Sequence, residues 1–270
     1  LLPFLSIFSF SKLYYLRKKK VTLKENLISI IIPCKNEEGN IRNIIKENFK
    51  NKLSFNYEVI FVDDNSSDGT LSIMQEEKKN NLDIKIKIVK GEGKGKSRAV
   101  NVGVKNCIGD YCMILDADIT VRVEDLDLFY NAIKNNNADL INGSRMIYKV
   151  EKRSMRTLNF FGNIFFSILV SYISEKYVSD VLCGTKCFKR KSWTKYEEFR
   201  DKFEINDIWG DFNIIFASSF IGEKIIDLPV RYYERVQGES KMGKRFFNFL
   251  NMMKVCLRVF KCFKLKNKLV

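Results

Sequence analysis

Residues Tyr111 to Asp118, YCMILDAD, constrain this chain more than any other stretch. A mostly apolar run passes straight into two carboxylates separated by one small residue. That is the pattern of a buried strand that stops at its C-terminal edge and delivers Asp116 and Asp118 into a crevice, where open α/β sheets bind ligands. Two acids this close resist being desolvated together while both stay ionised. Their natural partner is a hard divalent ion, Mg2+ or Mn2+, carrying a phosphate. The plain alternative is a strand ending in solvated acids, and a short motif alone does not decide between them.

The flanking chain repeats the pattern. Ile28 to Pro33 (ISIIIP) is a β-branched run of the kind buried on both faces of a parallel sheet, and Asn36, Glu37 and Glu38 open a helix to about Phe49. Tyr57 to Val62 (YEVIFV) is a second such strand, ending in the acidic turn Asp63 to Thr70 before a helix to about Lys79. A third strand spans Ile84 to Val89, and after the loop 91–97 a helix runs to about Asn106. Beyond Asp118 come a helix from about Val123 to Asn135 and a strand at Leu140–Ile141 leading into Asn142-Gly143-Ser144-Arg145. Strands alternating with helices of these lengths predict an α/β fold with a doubly wound, mostly parallel sheet.

The loop Gly91 to Ser97 (GEGKGKS) ends like a P-loop, but that motif requires glycine at position 90, where the chain carries Lys90. An ATPase is therefore excluded. The glycines expose backbone amides beside two lysines, of which Lys94 is taken as the donor contact. This suits a diphosphate, and equally a solvated turn.

After Arg145 the pattern changes. Arg153 and Arg156 precede Leu158 to Ile173, an almost wholly apolar stretch shorter than a bilayer span, which reads as a core or membrane-facing helix. Next come the short run Val181 to Phe188, a helix from about Ile208 to Phe220, and a strand from Lys224 to Tyr233 that Pro229 marks as an edge or a bulge. Both ends read as peripheral, dividing the chain into segment 1–20, domain 21–243 and tail 244–270. Residues 1–20 are apolar and aromatic, close on RKKK, and suit an interface rather than a span. In the tail, Lys254, Arg258 and Lys261 share one helical stripe, opposite Phe246, Phe249, Leu250, Met253, Leu257 and Phe260. Such a basic amphipathic helix lies on an anionic membrane or covers a domain, and the large aromatics favour the membrane.

Composition narrows the chemistry. Forty-seven Lys and Arg against 32 Asp and Glu leave a net +15, which favours anionic partners. The absence of histidine excludes Ser-His catalysis and His-ligated zinc. Seven irregularly spaced cysteines form no disulfide framework, and the apolar settings of Cys34, Cys107 and Cys112 suit small buried thiols in a reducing compartment. Cys183 and Cys187 lack the further ligands that a metal site needs.

The segments IIPCKNEEGNI, VIFVDDNSSDGT, GEGKGKSRAVNVG, GDYCMILDAD and INGSR together resemble the nucleotide-sugar half of a family-2 glycosyltransferase of GT-A fold. SDVLCGTKCFKR and VRYYERVQGESKMG resemble the second half of polyprenyl-phosphate glycosyltransferases of the dolichol-phosphate mannose synthase type, so the resemblance spans about residues 27 to 250. It implies that Pro33, Lys35, Glu37, Asp63 and Asp64 cradle the donor's base and ribose. Asp116 and Ala117 would face ribose and diphosphate, and Asp118 would bind Mg2+ or Mn2+. Arg145, Arg235 and Lys241 would grip phosphate, while Arg156, with Ser240, would hold the acceptor's phosphate.

The implied reaction is inverting transfer of a sugar from a UDP- or GDP-linked donor to a polyprenyl phosphate, by a protein peripheral to the cytoplasmic face of a membrane. A phosphate acceptor is already ionised and needs no base, whereas a hydroxyl acceptor does. Asp211 falls where hydroxyl-using members place that base, and it reads equally as a structural acid at a helix start. A nucleic-acid partner is not expected, because the aromatics lie in apolar runs rather than on a basic face. A sugar-nucleotide binder without activity is a further alternative.

Overall fold

A computed structural model describes residues 26–49, 53–118, 120–135, 137–148, 157–233 and 245–265. In β1 (Ile28–Cys34) every position except Pro33 is buried, as a β-branched run between two helical layers must be. Ile28, Ile30 and Ile32 face one layer and Ile31 faces the other, each fully buried isoleucine contributing about 1.5–3 kcal/mol. β1 lies between β2 (Tyr57–Asp63) and β4 (Tyr111–Ile114), parallel to both, and β3 (Ile86–Lys90) adds outside β2. With β5 (Leu140–Ser144), β6 (Lys186–Lys189) and β7 (Ile225–Pro229), the sheet order is β3-β2-β1-β4-β6-β5-β7.

One face carries α1 (Glu38–Asn43, widening over Ile44–Phe49), α2 (Thr70–Asn80) and α4 (Leu126–Lys134). The other carries α3 (Lys96–Lys105), α5 (Thr157–Ser174), α6 (Trp193–Lys202), α7 (Asp211–Phe220) and α8 (Arg245–Phe260). This is the expected mostly parallel α/β sandwich. The chain steps to opposite sides of β1 when it places β2 and then β4, so the switch point of the sheet lies where Asp116 and Asp118 emerge.

Three features were not legible beforehand. β6, which closes the run Val181 to Phe188 and extends one residue past it, is antiparallel to both its neighbours. It therefore begins at the site edge, with Lys186 opposite Ile114, and carries the loop before it across the ends of β4 and β5. α6 is a helix the polar-rich sequence does not announce, since only Trp193, Tyr196 and Phe199 point inward. α8 seats Met252, Val255, Cys256 and Val259 in the common core beside α5 and α7, so the tail helix covers the domain. Its Phe247, Leu250 and Leu257 stay exposed, and Leu250 and Leu257 lie on the side of Lys254 and Arg258, three and four residues apart on the helix, rather than opposite them as the sequence reading had them.

Pro229 ends β7, an edge strand, where its missing N–H disturbs no ladder. Cys34, Cys107 and Cys112 are buried free thiols as expected. Among the described residues no helix is long and apolar enough to cross a membrane. The segment 1–20 lies outside the described residues.

Candidate active site

β4 hands the chain directly to Leu115, buried, then to half-buried Asp116, buried Ala117 and half-buried Asp118. The Asp118 carboxylate is set by its own turn, accepting hydrogen bonds through Oδ1 from Thr120 N at 3.2 Å and Thr120 Oγ1 at 2.7 Å. Thr120 O in turn accepts from Tyr233 N at 2.9 Å. The stretch that precedes Arg235, Ser240 and Lys241 is thus tied two residues past Asp118.

Asp116 is met by a lysine. Lys96, the first residue of α3, places Nζ 2.7 Å from Asp116 Oδ1 and 3.9 Å from Asp211 Oδ2. Asp211 is also held from below, with Lys186 Nζ 3.1 Å from its Oδ1 and the Lys186 side chain fully buried. Two ammonium groups against Asp116, Asp118 and Asp211 leave this cluster one negative charge. Burial alone would depress the Lys96 ammonium, yet Asp116 and Asp211 hold it above the usual lysine range. Burial likewise pushes Asp116 up, but Lys96, Lys186 and Arg145 outweigh it and keep its carboxyl below the usual range.

Gly184, in the loop before β6, lies flat against this pair. A Cβ there would overlap the Asp116 carboxylate and the Lys96 ammonium. Gly184→Ala should therefore leave the fold intact and force the two charged ends apart. Misplacing a binding group by about an ångström costs up to about 100-fold. We expect the variant's affinity for nucleoside diphosphates, measured by calorimetry, to fall by about 10- to 100-fold. Unchanged affinity would mean that the pair does not face the donor.

The acidic turn after β2 has a specific task. Asp64 accepts through Oδ1 from Gly93 N at 2.7 Å and through Oδ2 from Gly95 N at 2.8 Å. This clasp shapes the glycine loop, in which Gly95 at φ 94° turns the chain into α3. Asp63 is buried, accepting from Ser66 N at 3.3 Å through its carboxylate and from Gly91 N at 2.8 Å through its carbonyl. Lys94 is mostly exposed and pairs with Glu92 at 3.2 Å, so the lysine brought into the crevice is Lys96. Lys35 is exposed beyond the half-buried Pro33. Glu37 accepts from Asn40 Nδ2 at 2.7 Å and stands beside Thr70, which takes a 2.7 Å bond from its backbone N–H.

Arg145, at the end of β5, turns its planar fork onto Asp180. Nε and Nη2 donate at 2.7 and 2.9 Å, the backbone N–H adds a third bond at 3.0 Å, and the guanidinium sits 5.0 Å from the Tyr232 ring. Asp180 is the hub that the sequence reading left unnamed. It also accepts from Asn163 Nδ2 at 2.9 Å and Leu182 N at 3.0 Å, fixing the loop that carries Gly184. Lys96, Asp180 and Lys186 were missed as individuals. The signal was present in the GKS tail and in the run from Ser179 to Lys189, but only the fold shows which charges meet. Arg156, Arg235, Ser240 and Lys241 lie outside the described residues.

No group of three or more acidic or cysteine ligands forms a metal cage among the described residues. The donor set fits a hard ion held another way: Mg2+ and Mn2+ are bound through one or two carboxylates together with substrate phosphate oxygens, and Asp118 supplies such a carboxylate at the switch point.

The sequence profile of Glycosyl transferase family 2 matches residues 29–222, from β1 to the turn after α7. The chain belongs to that family. Among relatives of this family-2 chain, a dolichol-phosphate mannosyltransferase of Pyrococcus furiosus is 31% identical over 83% of the chain and 61% of its own length. A dolichyl-phosphate beta-glucosyltransferase of Dictyostelium discoideum is 30% identical over 61% of the chain and 54% of its own length. The chain thus spans little more than half the length of these relatives. Among solved structures, a mannosyltransferase from Pyrobaculum calidifontis in complex with GDP-Man and Mn2+ superposes over 90% of the chain and 68% of its own, with TM-score 0.58 and 18% identity. Glucosyl-3-phosphoglycerate synthase from Mycobacterium tuberculosis, with Mn2+, UDP and phosphoglyceric acid, covers 87% and 78% with TM-score 0.62 and 16% identity. At these identities the likeness establishes the GT-A fold.

Proposed function

We propose that this family-2 glycosyltransferase moves a sugar from a UDP- or GDP-linked donor to a polyprenyl phosphate at a membrane surface, with inversion. The observation that carries the choice of acceptor is the state of Asp211. Its two oxygens face Lys186 and Lys96, so it serves as a structural counter-ion rather than as the base a hydroxyl would need. A phosphate acceptor arrives ionised, and one of its oxygens attacks the anomeric carbon while the bond from that carbon to the diphosphate breaks. The relatives whose names contain dolichyl phosphate support the same acceptor class.

The crevice at the sheet's switch point receives the donor, with Asp63, Asp64 and the glycine loop on one side and Asp116 and Ala117 at its floor. Bound at Asp118, Mg2+ or Mn2+ would neutralise charge on the departing diphosphate. The chain's own Lys96 adds to that neutralisation, while Arg145, its fork turned onto Asp180, serves to fix the loop that closes over Asp116. Membrane contact is supported by α5, whose Leu158, Phe161, Phe165 and Ile168 form one exposed apolar stripe, continued on α8 by Phe247, Leu250 and Leu257 next to Lys254 and Arg258.

The test is a transfer screen over a panel of nucleotide sugars, with and without a short polyprenyl phosphate, in Mg2+ or Mn2+. Product should appear only with the lipid phosphate. In the same assay Asp211→Asn should keep kcat within about tenfold while lowering the melting temperature, because it leaves the buried Lys186 without its counter-ion. A loss of about 1,000-fold or more in kcat, with donor binding intact, would instead make Asp211 the base and a hydroxyl the acceptor.

A further inference from the structure

We infer that Lys96 is a catalytic residue: its ammonium meets the donor's diphosphate and carries part of the charge that builds on it as the sugar leaves. The inference rests on the sugar-transfer reading above and names a contact within it. Three observations converge on this lysine. Its stem is fixed, because Asp64 clasps Gly93 and Gly95 immediately before it and Gly95 adopts a conformation that other residues reach only at a cost. Its head is aimed, because it sits 2.7 Å from Asp116 at the switch point while Asp211, itself matched by Lys186, flanks it at 3.9 Å. Finally, it opens to solvent: the Lys96 and Asp116 side chains keep 21% and 35% of their exposure, whereas Lys186 keeps none.

Electrostatics gives the reason for a lysine here. Asp116, Asp118 and Asp211 outnumber Lys96 and Lys186 by one charge, and a diphosphate brought against Asp116 and Asp118 adds more negative charge to an acidic edge. An ammonium has three N–H donors in a compact head, so Lys96 can keep one on Asp116 and present another to a phosphate oxygen. In the transfer step the acceptor oxygen forms its bond to the anomeric carbon, the carbon–oxygen bond to the diphosphate breaks, and the electron pair stays on the departing oxygen. Lys96 remains protonated throughout. Its hydrogen bond strengthens as that oxygen gains charge, so its removal lowers kcat more than it raises KM.

The experiment is a binding ladder by calorimetry, in chelator, with uridine, UMP and UDP and with guanosine, GMP and GDP. Wild-type protein, Lys96→Met and Lys96→Arg are compared after thermal melts establish that each is folded. Wild-type protein should gain affinity at the diphosphate rung. Lys96→Met should lose about tenfold or more there while matching wild type on the nucleoside, and Lys96→Arg should recover most of the loss. An equal loss on all three rungs would show that Lys96 only shields Asp116, and no loss at all would show that it does neither; each result overturns the inference. If the wild-type protein binds neither series in chelator and neither when Mg2+ or Mn2+ is added back, the donor reading itself fails and this assignment falls with it. If wild-type protein transfers sugar and Lys96→Met does so at the same kcat, only the assignment of Lys96 is lost.

Discussion

Asp180→Ala should be among the most damaging single substitutions in this protein, lowering its stability by about 3–5 kcal/mol in chemical denaturation. Asp180 is fully buried and accepts five hydrogen bonds, three of them from Arg145. Truncating it strands a guanidinium whose side chain is only 12% exposed, and a buried charge without its partner costs far more than the pair gains relative to apolar residues. The pH dependence has a definite sign. Burial raises the Asp180 carboxyl, but Arg145 and the surrounding N–H donors outweigh it and hold it below the usual aspartate range in the folded protein. The unfolded chain therefore binds this proton first. The stabilisation is complete above the ordinary aspartate value of about 3.9 and fades as the pH falls toward the folded-state value. Stability curves of wild-type protein and Asp180→Ala should converge in acid and separate above it. A constant gap across that range, or a loss under about 1 kcal/mol at neutral pH, would contradict the hub assignment.

Asp118→Ala should have the largest effect on turnover, a fall of about 100- to 1,000-fold in kcat at unchanged fold. The side chain is half-buried at the crevice edge past the end of β4, so its removal opens no core cavity. Wild-type activity should rise with added Mg2+ or Mn2+ and vanish in chelator, while the residual rate of Asp118→Ala should be insensitive to both. A variant that still responds to metal at wild-type strength would falsify the placing of the ion at Asp118.

These expectations differ in where they come from. The run ISIIIP, the repeat YEVIFV and the acids of YCMILDAD were legible because a strand buried on both faces leaves a continuous apolar signature, and because a motif at the end of such a strand is placed by the sheet itself. The same logic put Asp63, Asp64, Asp116 and Asp118 at the ends of buried strands. It did not separate Lys94 from Lys96. Both follow a glycine in the same loop, and their opposite fates depend on which one heads α3 once Asp64 has clasped Gly93 and Gly95. Nor did it show that α8 would bury Met252, Val255, Cys256 and Val259, since a basic amphipathic helix has the same pattern on a protein core as on a membrane.

By itself the sequence determined the alternation of buried strands with helices and the acids at the strand ends, because these follow from local periodicity. The tertiary structure alone decided the pairings. Antiparallel β6 brings Lys186 beneath Asp211, the loop before it lays Gly184 on Asp116 and Lys96, and Arg145 turns its fork onto Asp180. Coulombic partnership acts over a few ångströms between residues dozens of positions apart, and no local pattern in a sequence encodes such a distance.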